Sequence, residues 1–411
     1  MRNLIFIHME SLSNFIYRLH PELFPTLREW EAKSKSFRKY YTTATSTLMV
    51  VSDILYGQLQ QYEGCKTLIE VLEDYPSKQS WLDEMKAKGY NAQALICHCG
   101  NDQIEAEKRH MAGFDVQMTI RQNHEEHMAD IRREIAKEEP FAIIVCNHIA
   151  NIGYQKLIPN GWAESGLDRW EKGYQFMDNY IKDILDTIIE NGKLDNTTII
   201  FYGDHGDEFF SHGYHVGLAH AFEPYGDIIH TPMWIYDNRW EEIATIEDIV
   251  DASDMRQIAT ALLSQAEDKI NWDGLQIEKR EYSFARSAYA AQPVREDSFN
   301  KGYSITDGTF FMLVTSKGLE LYDMRMDEGC HNNLLNFFVY KDGILHLDEE
   351  VNSSLRFHYK TLLNLNAIRQ IRQVFYYYRN LLKEEVYSLY QKAGYEDKAE
   401  EMNFEEIHYT R

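Results

Sequence analysis

Hydrophobic positions along the chain fall into two alternating textures. Uninterrupted apolar runs occur at 4–9 (LIFIHM), 92–97 (AQALIC), 141–147 (FAIIVCN), 198–203 (TIIFYG) and 231–236 (TPMWIY). Runs this short, closed by polar or turn residues, predict strands buried on both faces, as in a parallel sheet. Between them the apolar positions recur at helical spacing. The segment 25–34 (PTLREWEAKS) has Pro25 placed for a first turn, 80–90 (SWLDEMKAKGY) runs to a glycine, and the long 165–193 segment stops at Asn191-Gly192. Leu48–Tyr56 carries the same spacing. Strands alternating with helices predict an α/β fold with a mostly parallel central sheet covered by helices on both faces.

Past residue 275 the texture changes. Short pieces at 303–308 (YSITDG), 309–318 (TFFMLVTSKG) and 319–324 (LELYDM), jointed by glycines, predict a small antiparallel sheet. Beyond 350 the spacing turns helical, with the aromatic cluster VFYYYRNLL at 374–382 and an amphipathic stretch at 384–402. The expected division is a catalytic α/β unit at 1–275, a small β subdomain of the same fold at 276–345 and a helical extension at 346–411. The C-terminal aromatic stripe suits internal packing or a homo-oligomer contact. There is no internal repeat and no low-complexity linker.

Composition narrows the partners. The 411 residues are 44% hydrophobic and 26% charged, with a net charge of −23. Such a field repels nucleic-acid phosphates and anionic membrane surfaces, so a small anionic substrate needs a local positive centre. A bound metal supplies one, and 16 histidines are available as ligands. The N-terminal apolar run meets Glu10 at once and reads as a strand; no run approaches the ~20 residues of a membrane span, which implies no membrane anchor. Of five cysteines, Cys97 and Cys99 are too close for a disulfide, and the odd total fits a reduced, cytoplasmic setting. The Cys-His-Cys triplet at 97–99 lacks the second cysteine pair of a structural metal site and reads as plain thiols.

In doubly wound sheets ligands gather beyond the carboxyl ends of the strands. Three predicted strands deliver chemistry there: Glu10 after the first, His148 after 141–147, and Asp204-His205 after 198–203. A fourth element is the Ser/Thr cluster before Leu48. At a helix N-terminus, Thr45, Ser46 or Thr47 serves either as an ordinary N-cap or as part of an anion site. A hydroxyl becomes a competent nucleophile once something lowers its pKa, as a divalent cation does. Glutamate, aspartate, neutral histidine and a threonine oxygen make a mixed O/N set that suits Zn²⁺ or Mn²⁺, with Ca²⁺ and Mg²⁺ less suited.

Five ordered blocks carry a family resemblance over most of residues 3–335. NLIFIHMESLS resembles the opening strand and metal carboxylate of the sulfatase branch of the alkaline phosphatase superfamily. LDNTTIIFYGDHGDEFFSHG resembles its Asp-His-Gly block, and HAFEPYGDIIHTPMWIY the segment that follows. DIVDASDMRQIATALL is similar to an Asp-containing helix, and LELYDMRMDEGCHNNLL to the family's C-terminal signature. The resemblance implies Glu10, Asp204 and His205 as ligands of one ion, with a second ion conceivable through His148, His212 or His220. It sets the nucleophile, also a metal ligand, at Thr47, ten residues before Gly57. True sulfatases carry Cys or Ser there within Cys-x-Pro-Ser-Arg and oxidise it to formylglycine; this chain reads TLMVV. Threonine instead resembles the phosphoethanolamine and phosphoglycerol transferases and related phosphodiesterases. His148 and His220 are implied as substrate-binding and proton-transferring groups, with His212 and His215 as further substrate contacts. The expected function is a phosphoester hydrolase or transferase acting through phosphothreonine on a small anionic ester. A sulfatase or phosphonate-ester hydrolase working without formylglycine, and a non-catalytic binding module, stand as alternatives.

Overall fold

The computed structural model describes residues 1–60, 79–97, 117–121, 123–148, 166–209, 212, 218–220, 223–287, 302–348 and 365–410. Its core is an eight-stranded sheet. In chain order the strands are β1 (Asn3–Met9), β2 (Lys35–Tyr41), β3 (Asn91–Cys97), β4 (Gln117–Arg121), β5 (Phe141–Asn147) and β6 (Thr197–Gly203). After the two-residue strands β7 (Glu208–Phe209) and β8 (Leu218–Ala219), which pair with each other, come β9 (Met233–Tyr236) and β10 (Thr245–Asp251). Their order in the large sheet is β10-β2-β9-β6-β1-β5-β3-β4.

Residues of β1 divide by parity, as a strand buried on both sides requires. Leu4 and Phe6 join a core with the helices Thr47–Tyr56, Trp81–Ala87 and Met255–Ser264, whereas Ile5 and Ile7 join one with Pro25–Glu31, His124–Ala136 and Gly166–Glu190. All four are fully buried. The parallel pairs β1/β6, β1/β5 and β3/β5 follow from the helical crossovers between them. Met233–Tyr236 differs from the parallel strand expected of its apolar run: β9 pairs antiparallel with both β6 and β2. Because β9 is flanked antiparallel on both sides, β2 and β6 point the same way and deliver their carboxyl ends to one edge.

Residues 245–264 also differ from a simple helix. Thr245–Asp251 is an edge strand, Asp251 caps a short 3-10 turn, and the helix begins at Met255. Farther on, β11 (Ser283–Arg286), β12 (Gly302–Thr306), β13 (Phe310–Thr315) and β14 (Gly318–Asp323) form an antiparallel sheet in sequence order, followed by the hairpin β15 (Phe338–Lys341) and β16 (Ile344–Leu347). One face of this smaller sheet packs Tyr303, Met312 and Leu321 against Phe375, Leu382 and Tyr390 of the helix Leu365–Ala393. Its other face sets Phe311, Leu313 and Tyr322 on Tyr41, Tyr225 and Ile228 of the main body. The C-terminal aromatic stripe is therefore largely occupied within the chain, with Tyr377 turned outward at 56% exposure. Among the described residues no helix is long and apolar enough to cross a membrane. Cys146 and Cys330 are buried free thiols and Cys97 is buried at the end of β3, while Cys99 lies outside the described residues.

Candidate active site

Four chain segments meet at the carboxyl edge of the sheet. β1 closes with His8 and Met9 and leads to Glu10, β5 leads to His148, β6 to Asp204 and His205, and the chain leaving β2 enters the helix at Thr47. β6, β1 and β5 are adjacent, so residues just beyond their ends converge without long excursions.

Asp204 sits at the middle of the arrangement. One oxygen, Oδ1, accepts the Ser11 backbone N–H at 3.0 Å. Ser11 reaches it through a left-handed backbone, φ 53°, an uncommon conformation for a non-glycine residue, and Tyr174 donates its hydroxyl to the Ser11 carbonyl at 2.5 Å. The other oxygen, Oδ2, lies 3.1 Å from His205 Nε2 and 3.0 Å from His8 Nε2. His8 Nε2 is also 3.3 Å from Glu10 Oε2, whose second neighbour is His148 Nδ1 at 3.4 Å. Side chains of His8, Glu10, Asp204 and His205 are all sealed from solvent. Burial opposes ionisation of Asp204, but the adjoining His205 and His8 prevail and hold its carboxyl well below the usual range.

The tautomer of His205 follows from its contacts. Nδ1 donates to the Gly206 carbonyl at 3.0 Å, and burial pulls the pKa of the ring down to about 4, so at neutral pH Nε2 carries a lone pair. That lone pair faces Thr47 Oγ1 at 3.2 Å and Asp204 Oδ2 at 3.1 Å. A lone pair opposite a carboxylate oxygen is repulsive unless a cation lies between them. The buried carboxylates, neutral imidazole and hydroxyl are thus a donor set that fits a divalent metal ion. Gly206 makes the close turn possible: a Cβ there would stand 2.0 Å from the Asp227 carbonyl oxygen and 2.7 Å from Ser13 Cβ.

Thr47 is 7% exposed and opens a ten-residue helix whose C-terminus is closed by Gly57 in the left-handed region, φ 67°. Ser46 holds the N-cap position with an extended backbone, yet its side chain makes no cap bond. The ordinary capping reading therefore does not account for Ser46, and the positive end of a helix that opens at Thr47 favours an anion.

The histidines expected beside the substrate take different places. His220 stacks on His205 with ring centroids 4.2 Å apart and donates Nδ1–H to Asp207 Oδ1 at 2.8 Å. Partial burial disfavours its charged form, but Asp207 outweighs this and raises its pKa; 27% of the side chain stays open to solvent. His148 touches Glu10, as above. His212 turns away: Nδ1 meets Glu208 Oε2 at 2.8 Å, Nε2 meets the Cys330 carbonyl at 2.7 Å, and the ring stacks on Tyr225 at 3.7 Å. It ties the β6 loop to the segment after β14. His215 lies outside the described residues. His8 and Asp207 are not singled out by the sequence reading. Period-two spacing places His8 on the face of Glu10, which was a usable signal; the Asp207–His220 contact bridges 13 residues of loop and had none.

Comparison with known proteins gives one consistent answer. Residues 2–262 match the family model described as Sulfatase. A curated relative, an arylsulfatase of Clostridium perfringens, is 28% identical over 183 residues, which is 42% of this chain but 36% of the relative's length. Among solved structures, an alkaline phosphatase superfamily protein from Vibrio parahaemolyticus aligns at TM-score 0.59 and 15% identity, covering 85% of this chain and 83% of that one. The lipoteichoic acid synthase LtaP from Listeria monocytogenes aligns at TM-score 0.53 and 14% identity, covering 76% and 82%. At such identities the structural likeness speaks for the fold.

Proposed function

The chain belongs to the sulfatase family, and from that premise we propose that it is a metal-dependent hydrolase or transferase that moves a phosphoryl group from an ester through Thr47. The observation carrying this reading is the contact of Thr47 Oγ1 with His205 Nε2 at 3.2 Å, itself 3.1 Å from Asp204 Oδ2. Glu10, Asp204, His205 and the Thr47 oxygen would hold the ion, Zn²⁺ or Mn²⁺ by their chemistry. When bound, such an ion acidifies the threonine hydroxyl and neutralises charge on the phosphoryl oxygens.

The remaining work falls to the chain's own groups. Thr47, its hydroxyl proton released to bulk water beforehand, attacks phosphorus in line through Oγ, and the P–O bond to the departing alcohol breaks; when phosphothreonine is later cleaved, Oγ leaves in the same unprotonated form. N–H groups of the first helical turn and the His148 imidazole hold the equatorial oxygens. His220, kept protonated by Asp207, gives a proton to the alcohol oxygen, then takes one from the water or acceptor alcohol that cleaves phosphothreonine. Water makes the protein a hydrolase and an acceptor hydroxyl makes it a transferase.

Threonine at position 47 cannot be converted to formylglycine, which removes the usual route to sulfate esters. The Clostridium arylsulfatase match keeps sulfate hydrolysis as the second reading. Turnover of matched aryl phosphate monoesters, phosphate diesters, phosphonates and sulfates by the metal-loaded chain, with Thr47→Ala as control, separates the two. Phosphate turnover that depends on Thr47 supports the proposal; sulfate turnover alone overturns it.

A further inference from the structure

We infer that His8 is itself a ligand of the metal ion, so that the centre presents two imidazole nitrogens where the family resemblance implies one. This rests on the metal centre proposed above and adds a residue to it. His8 lies on β1 two positions before Glu10, the first residue past the strand, and the two side chains meet at 3.3 Å. Its ring is fixed by stacking on its β6 register neighbour Tyr202, with centroids 5.6 Å apart and planes at 29°.

From there Nε2 lies 3.0 Å from Asp204 Oδ2 and 3.3 Å from Glu10 Oε2, and the three donor atoms belong to one group whose members all lie within 4.8 Å of one another. Distance alone fits either a hydrogen bond or shared coordination; direction separates them. Neither His8 nitrogen has a hydrogen-bond partner of acceptable geometry, and neither has Asp204 Oδ2, although all are fully buried. A buried imidazole in a protein interior ordinarily aims an N–H at an acceptor, because an unmet polar group costs about 1–3 kcal/mol. Here Nε2 lies within 3.3 Å of one oxygen of Glu10 and 3.0 Å of one of Asp204 without a hydrogen bond of acceptable geometry to either. Donors about 2.1 Å from a common ion and at right angles to one another sit about 3 Å apart, the spacing seen around Asp204 Oδ2.

Two nitrogens alter the selectivity of the centre. A site with carboxylates and a single imidazole still accommodates hard cations, whereas a second imidazole favours zinc, manganese and their transition-metal neighbours over calcium and magnesium. The cation class is therefore set by a residue on the opening strand as well as by the Asp-His pair.

Electron spin-echo envelope modulation on the Mn²⁺-loaded full chain counts coordinated imidazole nitrogens without reference to turnover. The expected result is two nitrogens in the wild type and one in His8→Ala. Should His8→Ala fail to fold, His205→Ala supplies the same count from the other side, one nitrogen remaining from His8. A single nitrogen in the wild type that vanishes in His205→Ala overturns the assignment and leaves the Thr47 reading standing. Two nitrogens persisting in folded His8→Ala overturns it as well. A wild-type chain that takes up no Mn²⁺ overturns both.

Discussion

Asp53 and Arg286 stand 233 residues apart in the chain and meet inside the protein, the guanidinium Nη2 lying 3.1 and 3.0 Å from the two carboxylate oxygens. Asp53 is on the helix opened by Thr47, and Arg286 ends β11 of the smaller sheet. The same carboxylate accepts the Thr43 hydroxyl at 2.6 Å and the Gln60 N–H at 2.7 Å, while the Arg286 backbone N–H donates to the Thr43 carbonyl at 3.1 Å. One ion pair thus clamps the loop before the candidate nucleophile, the helix after it and the C-terminal sheet.

Both side chains are sealed from water, so removing one leaves a buried charge without its counterpart. Arg286→Met is expected to cost about 3–5 kcal/mol, whereas the double replacement Asp53→Leu with Arg286→Met restores only part of that stability, because the Thr43 hydroxyl and the Gln60 N–H then lose their acceptor. Urea denaturation of the three proteins checks it. A single variant as stable as the wild type would mean that water reaches the pair.

In the proposed cycle His220 and Asp207 set the pH dependence. Asp207 raises the His220 pKa, so the acid form required for leaving-group protonation is present below that value and lost as pH rises through it. In Asp207→Asn the alkaline limb of kcat/KM should move to lower pH by about one to three pH units, since the neighbouring negative charge is gone. An unchanged limb would remove His220 from proton transfer.

Gly206 is predicted to tolerate no side chain. A methyl group there meets the Asp227 carbonyl oxygen at 2.0 Å, so Gly206→Ala must displace the loop carrying Asp204 and His205. Loss of about 1–3 kcal/mol in stability, with weakened metal affinity, is the expected outcome in calorimetry and metal titration. A fully stable variant with normal metal uptake would show the loop to be plastic.

Legibility in the sequence tracked burial. Strands β1, β3, β5 and β6 are apolar on both faces, so continuous hydrophobic runs marked each within a residue or so. β2 and β10 lie toward one margin of the sheet and carry Arg38, Lys39, Glu247 and Asp248 among their apolar residues, which hid them. The direction of β9 was invisible because a strand reads the same in parallel and antiparallel neighbours. At the site, residues directly after strands could be placed by topology, which is how Glu10, Asp204 and His205 came to notice. His212 could not: its orientation depends on Glu208 and the Cys330 carbonyl, the latter 118 residues away.

The central claim is that Thr47 carries the phosphoryl group. Mixing metal-loaded protein with an aryl phosphate, quenching in acid within the first turnovers and sequencing the peptides by mass spectrometry tests it directly. The account predicts one added phosphoryl group on Thr47, absent from Thr47→Ala, whose turnover should fall by a factor on the order of 10³ or more. An unmodified Thr47 during steady turnover, or a Thr47→Ala protein that keeps its rate, would contradict it.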